Sequence, residues 1–163
     1  MLSAVAPLIQ SVACPESFMD EARIHRMELF LYDQAKLALP ASYRPLHCGL
    51  LRLSGNGATG WAEFEFSDGS AHLDLVKWGQ AFRHLKRLDA AEAMTFIRQY
   101  EQQWGFTRTH LAAEAVAAWQ KALLQSISPT HVPTEPSTYM KAWTHLPMER
   151  EFLSYYCQSY YSF

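Results

Sequence analysis

The chain has 163 residues, enough for one domain with a buried core and an extension, and a net charge of −2. That charge supplies no bulk attraction to nucleic acid or to an anionic membrane, and no stretch approaches the roughly 20 apolar residues of a membrane span. Apolar residues make up 49% and charged residues 18%, as in an ordinary globular protein.

Residues 1–22 carry Pro7 and Pro15 without clear periodicity and read as an N-terminal arm, either loose or a short helix that docks on something else. The short apolar run before Cys14 has no Lys or Arg ahead of it, unlike an export signal. From 24 to 32 the side chains alternate, with Met27, Leu29 and Leu31 on one face and Arg26, Glu28, Phe30 and Tyr32 on the other, the pattern of a half-buried strand. Residues 33–47 contain Pro40 and Pro45 and form a loop too long for a simple hairpin, a class that often carries function. Strands at 48–53 and 59–66 flank Ser54-Gly55-Asn56-Gly57, where Asn and Gly tolerate the positive φ of a tight hairpin turn.

After the turn Ser67-Asp68-Gly69-Ser70, a short helix is expected over 71–78, capped by Ser70 and ended by Gly79. The basic run 83–87 has no interleaved rings and reads as a solvated connection. Asp89 and Glu92 form a capping box for a helix whose Ala93, Phe96, Ile97, Tyr100 and Trp104 share a face, with Gly105 as its stop. Thr107 or Thr109 caps a longer helix to about 127, with Leu111, Ala112, Ala115, Val116, Trp119 and Leu123 inward. Its small residues permit close approach to a neighbouring element. Residues 128–137, with three prolines, form a linker. In the aromatic extension 138–163, Pro147, Glu149 and Glu151 resemble the first turn of a helix reaching about 160. Its rings, Trp143, Phe152, Tyr155, Tyr156 and Tyr160 among them, either pack back on the domain or form an interface.

The expected fold is therefore α+β: a three-stranded antiparallel sheet followed by a helical bundle, then an aromatic extension. Cys14, Cys48 and Cys157 are widely spaced, with no CxxC and no zinc-like histidine pairing, so a reduced, cytoplasmic protein is expected. Glu63 and Glu65 share a strand face and read as a solvent-facing row opposite Arg26 or Arg52. Cys48 reads as buried sulfur rather than a nucleophile, since no helix start or adjacent base is there to lower its pKa and its neighbour His47 points to the other face. No phosphate-binding glycine pattern and no Gly-x-Ser-x-Gly elbow occurs, and no residue is assigned a catalytic role.

The words Ile24-His25-Arg26-Met27-Glu28-Leu29, Leu50-Leu51-Arg52-Leu53, Gly57-Ala58-Thr59-Gly60-Trp61-Ala62-Glu63 and the Ala-rich 110–119 come in an order that resembles the amino-terminal capping domain of the enolase superfamily. The likeness is to the muconate-lactonizing enzyme, mandelate racemase and o-succinylbenzoate synthase branch, over residues 24–124. Ala62 stands where the family usually has Gly, and the Asp that commonly follows the helix's Trp is missing after Trp119. The resemblance implies a cap of residues 23–127 with two loops, 33–47 and 64–70, that select a substrate. Tyr43, Arg44, His47, Glu65 and Asp68 are then the candidate ligand-binding residues. The family's chemistry sits on a (β/α)₈ barrel of about 200 residues or more, for which the residues after 127 leave no room. Mg²⁺ is expected only if a barrel-bearing chain supplies its ligands. The expected function is a stand-alone, non-catalytic capping-type module that binds a protein or small ligand, with a second copy or a barrel-bearing protein as partner and possible action as a lid in trans. The alternative is a fragment or subunit of a Mg²⁺-dependent racemase, dehydratase or o-succinylbenzoate synthase.

Overall fold

A computed structural model describes residues 22–33, 35–36, 47–127 and 157–163. Four antiparallel strands, β1 (Arg26–Tyr32), β2 (His47–Gly55), β3 (Ala58–Phe66) and β4 (Cys157–Ser162), form one sheet in the order β3-β2-β1-β4. Between β3 and β4 come α1 (Leu75–Gly79), a 3-10 helix (Gln80–Leu85), α2 (Ala90–Gln99) and α3 (Glu101–Ile127).

The β2–β3 hairpin follows from its turn. Asn56 (φ 51°) and Gly57 (φ 78°) both occupy the left-handed region, so the two-residue loop twists with its strands and pairs Gly55 with Ala58. The Asn56 side-chain oxygen also accepts the Arg23 N–H at 3.0 Å, tying the approach to β1 onto the turn. This register puts Met27, Leu29, Leu51, Leu53, Ala62 and Phe64 on one face of the sheet. All are buried, in one cluster with Leu111, Ala115, Val116 and Trp119 of α3. The Trp119 indole N–H donates to the Gly55 carbonyl at 3.1 Å. At Gly60 the helix backbone comes against the strand: a Cβ there would strike the Ala115 carbonyl and the Trp119 backbone nitrogen, and would lie 2.6 Å from the Trp119 Cβ. The small residues of α3 do serve a close approach, and the strand answers with a glycine.

The capping box forms as expected. The Asp89 carboxylate accepts the Glu92 N–H at 2.8 Å and the Glu92 carboxylate accepts the Asp89 N–H at 3.0 Å. Arg23 bridges both carboxylates, at 2.7 and 2.6 Å. In the 83–87 stretch the charged side chains are exposed, but Phe82 and Leu85 of the 3-10 helix are core residues.

Several expectations are corrected. The sheet has four strands, because Cys157–Ser162, expected to finish a helix, is extended along β1. Its adjacent tyrosines point to opposite faces and its backbone pairs with the β1 edge away from β2. Strand β1, flanked on both sides, is buried on both faces rather than half-buried: Glu28 and Phe30 are covered along with Met27 and Leu29. Helix α1 starts at Leu75, where the Asp74 carboxylate accepts the Lys77 N–H at 3.0 Å, while the Ser70 hydroxyl is engaged by His72. Helix α2 ends at Gln99 with Tyr100 as its cap, a break not expected from the sequence, while Gly105 (φ 74°, ψ 166°) is non-helical and, as expected, ends one helical stretch of α3 before the longer one that runs to Ile127.

Two outcomes follow from this packing. Gly60→Ala is expected to lower unfolding free energy by about 3 kcal/mol, since neither strand nor helix backbone has room to yield; urea midpoints check it. The Asp89 carboxyl sits below its usual range because, although partial burial opposes ionisation, the Glu92 N–H and the Arg23 guanidinium outweigh it. Its contribution is fully present above the unfolded value of about 3.9 and fades as pH falls through the lower folded value. Asp89→Asn, which keeps a capping oxygen, should flatten that acid limb and cost at most about 1 kcal/mol at neutral pH, as read from denaturation across pH 2–7.

Candidate functional site

Among the described residues, a polar cluster lies on each face of the sheet. At the end of the helix-covered face, β2 begins with His47 directly opposite Phe66, the last residue of β3. The imidazole is buried with its ring centroid 5.3 Å from that of Phe66, and its Nε2 lies 3.0 Å from the Asp68 carboxylate. The same Asp68 oxygen accepts the Ser70 N–H at 2.9 Å, which fixes the turn after β3. That N–H is the main reason the Asp68 carboxyl sits below its usual range, with His47 adding to the effect. Beneath the pair lies a shelf of rings. Trp78 stacks on Phe66 at 5.4 Å and meets Phe64 at 4.8 Å. Arg108 of α3 braces it, with Nε donating to the Trp78 carbonyl at 3.0 Å and the guanidinium 5.4 Å from the indole centroid.

The opposite face centres on Glu28, which is 2% exposed. One carboxylate oxygen receives both Nε and Nη2 of Arg52. The other receives Arg26 Nη2 at 2.9 Å and the Tyr160 hydroxyl at 2.8 Å. Donors from β1, β2 and β4 thus converge on one buried charge. The Arg52 guanidinium also lies over Trp61 and Phe30, at 5.1 and 5.8 Å from their centroids.

Of the residues singled out in the sequence, His47 and Asp68 come together. Glu65 does not join them, since it pairs with Cys48 and projects from the other face. Tyr43, Arg44, Trp143, Phe152, Tyr155 and Tyr156 lie outside the described residues. Tyr160 is half exposed and its hydroxyl is engaged by the chain's own β1. Burial, with Glu65 and Glu63 nearby, pushes the Cys48 thiol up to about 11, so it stays protonated at neutral pH and is no nucleophile for His47 to activate. Among the described residues no group of three His, Cys, Asp or Glu is placed to hold a metal ion, and no described helix is long and apolar enough to cross a membrane. The Glu28 cluster escaped sequence reasoning, which placed Arg26 and Arg52 opposite Glu63 and Glu65; the signal was Glu28 itself, an acid in an apolar strand. A comparison with protein-family models, curated proteins and solved structures finds no match to this chain.

The two clusters are separable by mutation. Glu28→Ala strands the partly buried Arg52 without its carboxylate and is expected to cost about 3 kcal/mol in urea unfolding, with Glu28→Gln costing less. Asp68→Ala should instead leave the unfolding midpoint nearly unchanged while accelerating amide exchange at 67–72, because it frees the Ser70 N–H and the His47 ring without opening the core.

Proposed function

We propose that this chain is a capping-type binding module, non-catalytic on its own, that engages its ligand or partner at the sheet end marked by His47 and Asp68. The observation that carries this reading is the 3.0 Å contact between these two side chains. His47 closes the stretch 33–47 and Asp68 opens the turn after β3, so one hydrogen bond couples the two loops that the enolase-superfamily resemblance assigns to substrate selection. A lid needs such coupling, because residues from separate loops must present a single face to what they cover. The order of three strands followed by helices supports the same reading. So does the pairing within each polar cluster: Glu28 is engaged by two arginines and a tyrosine, and His47 by Asp68. A chain built this way positions and covers; a barrel-bearing partner would supply the metal and the base.

The test is chemical-shift mapping of the isotope-labelled chain with small carboxylates of the kind that branch handles, mandelate, muconate and o-succinylbenzoate, alongside an assay for their turnover with Mg²⁺. Saturable shifts at His47 and residues 66–70, abolished by Asp68→Ala, with no turnover, are the expected result. Shifts confined to another part of the sheet would move the site elsewhere, and turnover by the chain alone would overturn the non-catalytic reading.

A further inference from the structure

Strand β4 pairs with the β1 backbone and is contacted by β1 side chains on one face and by α1 on the other. The backbones of Met27 and Phe163 exchange two hydrogen bonds, at 3.1 and 3.0 Å. On the face away from α3 the Tyr160 ring lies 5.1 Å from Phe30, and its hydroxyl donates to Glu28 and accepts from Arg26 at 3.0 Å. On the other face Tyr161 lies over Gly79, where an added Cβ would come 3.2 Å from its ring, and packs on Phe163 at 4.8 Å. Adjacent aromatic residues therefore each have a fitted seat, one polar and one apolar.

The strand so recognised is nonetheless the least buried of the four. None of its residues is buried, whereas the β1 strand it covers has Met27 and Leu29 fully enclosed. An edge strand of this kind opens before the sheet does. It joins the rest of the fold through residues 128–156, a connection that spans up to about 100 Å when extended. The covalent link therefore does not dictate whose β1 the strand pairs with.

We infer that the outer edge of β1 is a strand-accepting site for the extended segment Tyr160-Tyr161-Ser162-Phe163, and that a second copy of this chain supplies that segment in trans, giving a strand-exchanged dimer. Reciprocal exchange fills both β1 sites and closes on itself with two-fold symmetry. The chain's own strand is the competitor. The covalent connection keeps that strand at a raised local concentration, on the order of 1 mM, so the monomer prevails in dilute solution and exchange appears when the chain is folded at concentrations near that value. This inference is independent of the ligand site at His47 and Asp68.

The first experiment uses the full chain with its own strand silenced, Tyr160→Ala with Tyr161→Asp, and a fluorescein-labelled peptide of residues 156–163. Saturable binding to this variant, at least tenfold weaker binding to the unaltered chain, and none for a peptide carrying the same two substitutions are expected. A variant whose β2–β3 amides stay protected but which binds no peptide up to about 1 mM would overturn the site. The second experiment needs no destabilising change. Isotope-labelled and unlabelled full chains carrying a photocrosslinker at the exposed Gln158 are refolded together near 1 mM and again at a hundredfold dilution. Crosslinks from residue 158 of one isotope to β1 of the other, lost on dilution, support exchange between copies; links confined to one chain at both concentrations refute it.

Discussion

The fold depends on the contact between the backbone of β3 and the backbone of α3 at Gly60. With no side chain between them, the helix lies against the strand over Ala115 and Trp119, and the Trp119 indole reaches the Gly55 carbonyl at the hairpin's end. That hydrogen bond fixes the helix along its axis, while the glycine fixes its distance. Once α3 is seated, the helical layer falls on one side of the sheet. Apolar burial there is the main source of stability, and close packing makes it intolerant of an added methyl group.

The other side of the sheet is organised differently. Glu28 is a buried charge, which is costly unless donors surround it. Its donors come from three strands, so the carboxylate is satisfied only when β1, β2 and β4 stand in the observed register. A slip of one residue would turn Glu28 to the apolar face and leave Arg52 without its acceptor. The cluster thus specifies the pairing of β4 more than it adds net stability, and the rings of Phe30, Trp61 and Tyr160 enclose it in an environment that strengthens those hydrogen bonds.

His47 and Asp68 meet where these constraints run out. The sheet ends at the His47–Phe66 pair, the aromatic shelf holds that end from below, and Asp68 closes over it from an exposed turn. The stacked rings of Phe66 and Trp78 fix where the two chain segments joined by His47 and Asp68 start. The arrangement of β4 has the same character: a seat with a defined chemistry, occupied by a strand that is itself only half covered.

Local chemistry was legible in the sequence. The Asn56-Gly57 turn, the capping box of Asp89 and Glu92, the inward stripe of α3 and the burial of Cys48 each depend on residues a few positions apart or on one element's periodicity, and each appears as read. His47 and Asp68 were named one by one through a family likeness, but their contact was not readable, since it requires the β2–β3 register to bring residues twenty-one apart to one spot. Only the tertiary structure decided that 157–162 is a strand, that Glu28 is the common partner of Arg26 and Arg52, and that β1 is covered on both faces. In each case the choice rests on an edge or a charge supplied by a segment far away in the chain, and hydrophobic period and turn propensity carry no information about which distant segment that is.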